Sequence, residues 1–243
     1  MNTIVGRNPV LEALRSETPI EKIIFLHGVH GESIQQIRTL ARQKNIPFVE
    51  HSQERFNKIS QYINSQGVIA IIGEKIYCDI DELFRIASSK NEKPFFLIFD
   101  EIEDTHNIGA LIRTAVCAGV HGGIIPKHHS APINETVVKT SAGASEHFPI
   151  AKVTNLVSAI EELKEKNVWI VGTEMSVEKS YTELDYNMSL AIVVGNEGKG
   201  MRRLVKEKCD FLVKIPMVGK IQSLNVSVAG ALMMYEVMRG RKK

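Results

Sequence analysis

From Phe95 onward the chain alternates short, nearly unbroken apolar runs with stretches of helical periodicity, and few folds accommodate that pattern. The runs "PFFLIFD", "GGIIP", "FPIAKV", "VWIVGTEM", "LAIVVGNE" and "DFLVKIP" read as strands. Among and after them, "NIGALIRTAVCAGV", "NETVVKTSAGASEH", "NLVSAIEELKEKN", "MRRLVKEKC" and "NVSVAGALMMYEVMRG" read as helices. A strand without a polar face has to be buried on both sides, and helices between successive strands supply the covering layers. The expected class is α/β with a mainly parallel sheet. Ligands of such sheets sit beyond the carboxyl ends of the strands, so chemistry is sought in the loops that follow the apolar runs.

Residues 1–76 carry shorter elements of their own. "NPVLEALRS" reads as a helix with Asn8 as N-cap and Pro9 at its first position, "SIQQIRTLARQKN" and "QERFNKISQYI" as further helices, and "KIIFLH", "PFVEH" and "GVIAIIG" as strands. This is expected to be a small α/β domain. Residues 77–93 carry one amphipathic helix and a polar run; they are expected to link that domain to a second one, 94–243. Hydrophobic residues at 44% and charged ones at 24% suit an ordinary globular protein. A net charge of +2 allows an anionic partner only where basic groups are concentrated locally. The three cysteines, Cys78, Cys117 and Cys209, lie far apart and lack metal-ligand spacing, so no metal is expected and the compartment is a reducing cytoplasm. No stretch approaches the length of a membrane span, and no membrane contact is expected.

Four loops at strand ends carry unusual residues. In "DEIEDTHNIGALIRTA", Asn107 can cap a helix, Gly109 permits close approach, and Arg113 lies farther along, roughly on the same face. An arginine there fits an exposed helix position or a phosphate, to which its planar fork donates twice. "IVVGNEGKGM" is glycine-rich, but its order is neither that of a dinucleotide fingerprint nor that of a P-loop. A tight turn accounts for one glycine and leaves Asn196 and Glu197 unexplained. The third loop is "VGTEM", with Thr173 and Glu174 at a strand end. The fourth is "IPMVGKIQSLNVS", where an apolar strand passes through Pro216, Gly219, Gln222 and Ser223 into a helix that begins near Asn225. Together these loops would form a cleft of small and polar groups with room for a flat ring.

In chain order, "HNIGALIRTA", "VVGNEGKGM" and "IPMVGKIQSLNVSVAGAL" resemble the three signature motifs of the SpoU family of RNA ribose 2′-O-methyltransferases, in the SPOUT superfamily. The stretch 121–156 is similar to the branch that methylates a guanosine of 23S ribosomal RNA. Residues 1–76 resemble that branch's RNA-binding domain, whose fold is shared with a ribosomal protein (L30e-like). One departure is Thr105, where the family usually has proline, and it could loosen the loop before Asn107.

The resemblance implies a deep trefoil knot in the C-terminal domain, formed by threading the last segment through an earlier loop. It implies S-adenosylmethionine as cofactor, held by main-chain groups of Gly195, Ile215 and Leu224, with Thr173 and Asn225 beside them. It also implies a homodimer packed through the final helix and the first motif. Arg113 would grip the phosphate next to the target ribose and help activate the hydroxyl, since an arginine is a poor base on its own. Asn107, Glu197, Ser223 and Asn225 would orient Arg113 or the ribose, although each also fits a cap or a loop tie. Arg7, Lys127, Lys199, Arg202 and Arg203 are the expected RNA contacts, with a solvated charged face as the alternative for the last two. His128 and His129 read as exposed loop residues. The same motifs also serve transfer-RNA ribose methyltransferases, and a non-catalytic RNA-binding or assembly protein could keep the fold; an intact Arg113 argues against the latter.

Overall fold

The computed structural model describes residues 3–15, 19–60, 65–72, 77–219 and 223–241, and its contacts divide the chain into two units, Met1–Ile76 and Tyr77–Lys243. The first unit runs β1 (Thr3–Val5), α1 (Arg7–Arg15), β2 (Ile20–Leu26), α2 (Glu32–Gln43), β3 (Phe48–His51), α3 (Gln53–Ser60) and β4 (Val68–Ile72). Its sheet has the order β1-β4-β2-β3, with β3 parallel to β2 and the other pairs antiparallel. Leu14 of α1 and Ile37 of α2 are buried in one cluster with Ile23 and Phe25 of β2, and Phe56 of α3 in another with Ile24 and Ile69. Two details differ from the sequence pattern. The short β1 has no signal of its own and exists by pairing with β4. The first helix begins at Arg7, ahead of Asn8, so Asn8 and Pro9 lie inside its first turn. The expected continuation of α3 through residues 61–63 lies outside the described residues.

The second unit continues with α4 (Ile80–Ser89), β5 (Phe95–Phe99), α5 (Thr105–Cys117), β6 (Gly122–Pro126), α6 (Glu135–Thr140), α7 (Ala144–His147), β7 (Ile150–Val153), α8 (Leu156–Glu165), β8 (Trp169–Thr173), β9 (Leu190–Val194), α9 (Arg203–Lys208), β10 (Phe211–Val213) and α10 (Val226–Arg241). Its six strands are all parallel, in the order β10-β8-β9-β5-β6-β7. Leu111 and Ile112 of α5 and Met233 and Met234 of α10 fill the core on one face of the sheet. Leu83 of α4, Ile160 of α8 and Val205 of α9 fill it on the other. Both faces are covered, which is why β5 and β9 can be apolar at every position.

The stretch expected as a linker is part of this unit. Asp79 caps α4 by accepting from Glu82 N at 2.7 Å, Ile80 and Leu83 are buried in the core, and Cys78 bridges Ala151 beside β7. An amphipathic helix needs a surface for its apolar stripe, and here the sheet provides it. The single helix expected over 134–147 is two, because Ala142 and Gly143 adopt positive φ (53° and 82°) between them. No α-helix connects β8 to β9; the crossover holds a single 3₁₀ turn, Tyr181–Glu183. Among the described residues, no helix is long and apolar enough to cross a membrane, and no group of three or more His, Cys, Asp or Glu is placed to hold a metal ion.

Candidate active site

A cleft, partly open to solvent, lies beyond the carboxyl ends of β8, β9 and β10. Its walls combine apolar side chains, among them Val194, Ile215 and Leu224, with strand-end groups at Thr173 and Gly195. This is the character of a small-molecule site, apolar with a few convergent polar groups. Gly195 is required by close approach: a Cβ there would lie 2.4 Å from Met201 N and 2.5 Å from Gly200 C. Glu174 is also at the cleft; Lys206 beside it holds its carboxyl below the usual range, against the opposing effect of burial.

Next to the cleft, three of the four loops meet in one hydrogen-bonded hub. Asn107, buried in the first turn of α5, donates from Nδ2 to Glu197 Oε2 at 3.1 Å. Asn225 donates from Nδ2 to both Asn107 Oδ1 (3.0 Å) and Glu197 Oε1 (3.1 Å). Ser227 in turn donates from its backbone N–H to Asn225 Oδ1 at 2.9 Å, so the residue preceding α10 serves as both cap and hub. The carboxylate accepts one amide N–H on each oxygen, and charge-assisted bonds of this kind are the stronger ones.

The loop that presents Glu197 is closed on itself. Asn196 and Gly200 exchange backbone hydrogen bonds, Asn196 N to Gly200 O at 3.0 Å and Gly200 N to Asn196 O at 2.8 Å. The Asn196 side chain accepts from Gly198 N and Lys199 N and donates to Glu101 O at 3.0 Å. On the far side of the loop, Asp100, fully buried at the end of β5, accepts from Arg202 N at 2.7 Å and Arg202 Nε at 2.6 Å.

Several expectations are modified by this geometry. Asn107 does not cap α5; Asp104 does, accepting from His106 N at 2.9 Å. Arg113 does not share the face of Asn107: six residues turn a helix by about 240°, and Asn107 is buried while Arg113 is exposed. Arg113 makes no hydrogen bond or ion pair among the described residues, and Glu197 faces the two asparagines instead. Thr105 occupies the first helical position, and α5 starts there without proline. Ser223 is exposed at the cleft, whereas the neighbouring motif residues 220–222, including Gln222, lie outside the described residues.

Of the expected RNA contacts, Lys127 and Lys199 are exposed, and Arg203 is exposed but pairs with Glu207 at 2.7 Å. Arg202 is committed to Asp100. Arg7 donates from Nε to Gln66 O at 3.0 Å within the first unit. His128 and His129 are exposed, with His129 3.6 Å from Glu103. None of the three cysteines is in a disulfide, and burial pushes the Cys209 thiol up to about 12, which removes it from any nucleophilic role near neutral pH. Asn196, unexplained by a tight turn in the sequence, ties the loop to Glu101, and Asp100 has no role readable from the sequence beyond closing an apolar strand.

Residues 94–235 match the SpoU rRNA Methylase family, and residues 3–78 match a domain described as RNA 2′-O ribose methyltransferase substrate binding. The chain is 45% identical over 240 residues to YacO of Bacillus subtilis, named as a TrmH-family tRNA/rRNA methyltransferase, covering 98% of this chain and 95% of that one. A Staphylococcus aureus protein named in the same way is 44% identical over 238 residues, covering 98% and 96%. Among solved structures, the SpoU methyltransferase AviRb of Streptomyces viridochromogenes, in complex with AdoMet, shares the fold at a TM-score of 0.75 and 23% identity, over 99% of this chain and 90% of that one. The A. aeolicus TrmH/SpoU tRNA modifying enzyme is similar at 33% identity and a TM-score of 0.58, over 67% and 83%. With a family match over most of the chain and relatives above 40% identity along nearly all of it, the chain belongs to the SpoU family of S-adenosylmethionine-dependent RNA ribose 2′-O-methyltransferases.

Proposed function

We propose that this protein methylates the ribose of a guanosine in 23S ribosomal RNA, as a cytoplasmic homodimer, with Arg113 as the catalytic side chain. The observation that carries the reading is the hub of Asn107, Glu197 and Asn225 beside the cleft, because it joins all three motif loops where a donor and a ribose would meet.

The cleft suits the cofactor by its own chemistry. An apolar wall with polar groups at strand ends matches an adenine with a polar edge. Gly195, Ile215 and Leu224 would hold it, with Thr173 and Asn225 at the margins. When bound, S-adenosylmethionine supplies an electrophilic methyl group on a sulfonium. The protein's part is orientation, which accounts for much of the rate in a transfer needing near-linear approach. The hub fixes the loops relative to one another, and Ser223, exposed at the cleft, would hydrogen-bond the substrate. Arg113, exposed and uncommitted among the described residues, is free to bind the phosphate next to the target ribose and to stabilise charge as the hydroxyl loses its proton.

The unit Met1–Ile76, with an L30e-like fold, would bind the RNA, aided by Arg7 there and by Lys127, Lys199 and Arg203 on the catalytic unit. The catalytic unit would carry the trefoil knot that its family resemblance implies. Exposed Val228, Leu232 and Tyr235 recur at helical spacing on α10, with exposed Val116 on α5, and this apolar stripe supports the dimer. Relatives named for tRNA/rRNA and for tRNA modification keep transfer RNA as a second candidate substrate.

The test is to incubate the protein with labelled S-adenosylmethionine and, separately, with unmodified 23S ribosomal RNA and unmodified transfer RNA, and to map the label. Label at one guanosine of 23S RNA is expected. Label in transfer RNA alone would overturn the branch while keeping the chemistry, and label in neither would overturn both.

A further inference from the structure

Asp100 is a charged group at the site that methyl transfer, as described, leaves without a task. Its carboxylate is fully buried, and a buried charge without partners is strongly unfavourable. Both oxygens are taken by one residue 102 positions away: Arg202 N donates to Oδ2 at 2.7 Å and Arg202 Nε to Oδ1 at 2.6 Å. The Asp100 backbone N–H donates to Val194 O at 2.8 Å. The residue entering the glycine-rich loop and the residue leaving it are therefore pinned to the same point at the end of β5. Between the pins the loop is closed by the Asn196–Gly200 pair and tied to Glu101 O, which leaves Glu197 projecting toward Asn107 and Asn225.

We infer that Asp100 and Arg202 are positioning residues: a clamp on a buried carboxylate that sets where Glu197 meets the two asparagines and where the loop forms the cofactor wall. Arg202, although 42% exposed, thereby spends its charge on Asp100 and on Glu101, 3.6 Å from its guanidinium, and is not an RNA phosphate contact. The catalytic consequences rest on the methyl-transfer reading, whereas the clamp itself is a property of the protein alone.

The experiment therefore has two arms, run on Arg202→Ala, Arg202→Lys and Asp100→Asn, with Arg203→Ala as the comparison for a lost phosphate contact. In the protein alone, amide hydrogen exchange across residues 195–202 should accelerate in Arg202→Ala by about tenfold or more as the loop opens locally. With ligands, the Kd for S-adenosylmethionine should rise about tenfold and kcat fall, while KM for RNA and the salt dependence of RNA binding stay as in the parent; a lost phosphate contact would instead lower the salt slope by about one. Arg202→Lys should recover part of the cofactor affinity, because an ammonium can still pair with Asp100. Unchanged exchange, or a reduced salt slope with parental cofactor affinity, would overturn the inference. If Arg202→Ala gives no cooperative melt, Asp100→Asn carries the test, since it keeps the volume and can accept from Arg202 N; parental exchange and kcat in that folded variant would equally overturn it. A parent that binds no cofactor and methylates no RNA would sink the functional reading and leave the exchange arm to judge the clamp.

Discussion

Glu197 stands between two asparagine amides that each donate to it, so its replacement by glutamine turns one acceptor into a donor facing a donor. Losing one charge-assisted bond at the hub corresponds to about 1.5–3 kcal/mol, or roughly one to two decades in rate if the bond acts in the transition state. Glu197→Gln is expected to lower kcat about tenfold or more while cofactor affinity changes severalfold at most, as read by single-turnover kinetics and calorimetry. Equal losses in both would instead assign Glu197 to the cofactor. The polar residues of this hub were legible in the sequence because Asn107, Glu197 and Asn225 interrupt apolar surroundings at strand ends. Their mutual contacts were not legible, since they bridge 90, 118 and 28 positions. Arg202 shows the same limit from the other side: its charge is visible in "GMRRL", but its partner lies on another strand. His121 is a second residue whose state depends on burial. Its Nδ1 accepts from Phe95 N at 3.1 Å and its Nε2 faces Glu92 at 3.0 Å, and burial holds its pKa below 6.5 despite the pull of Glu92. The unfolded chain takes up a proton near 6.5 that the folded one refuses, so this contribution to stability is complete above pH 6.5 and is lost as the pH falls below it. Thermal midpoints should decline below that pH, with a shallower slope in His121→Gln; identical slopes would remove His121 as the cause.

Among the elements, α5 is the most constrained, because it carries the hub on one face and packs on α6 and α10 with others. A Cβ at Gly109 would lie 1.8 Å from Thr140 Oγ1 and 3.2 Å from the Ser141 backbone, so the two helices approach at a distance that only glycine permits. Overpacking of this kind costs about 1–3 kcal/mol, which for a chain of this size lowers Tm by about 2–12 °C. Gly109→Ala should show that loss in a thermal melt; an unchanged Tm would mean that α6 can move aside freely. Element type was well marked where apolar periodicity was strong, as in β5, β9 and α10. It failed where contacts at a distance decide: β1 exists through β4, α4 joins the core of the larger unit, and a positive-φ pair splits the helix expected over 134–147.

For the molecule as a whole, the α/β class and the end of the sheet that bears the site followed from the alternation of apolar runs and helices, and the strand order required the structure. The proposed dimer is argued from exposed Leu232 (38%) and Tyr235 (46%) on α10 beside Val116 (42%) on α5. Leu232→Lys is expected to shift the protein to monomer in sedimentation and to reduce methyl transfer in parallel; a monomeric parent would reject the dimer outright. The central claim, that the hub and Arg113 direct a methyl group to a ribose oxygen, is tested most directly by alkaline hydrolysis of RNA labelled from S-adenosylmethionine. Methylation of the 2′-oxygen removes the hydroxyl that cleaves the next phosphodiester, so the label should persist in an alkali-resistant dinucleotide. With Arg113→Ala no such product should form, although the cofactor still binds with nearly parental affinity. Label released in mononucleotides, or an undiminished resistant product from Arg113→Ala, would contradict the account.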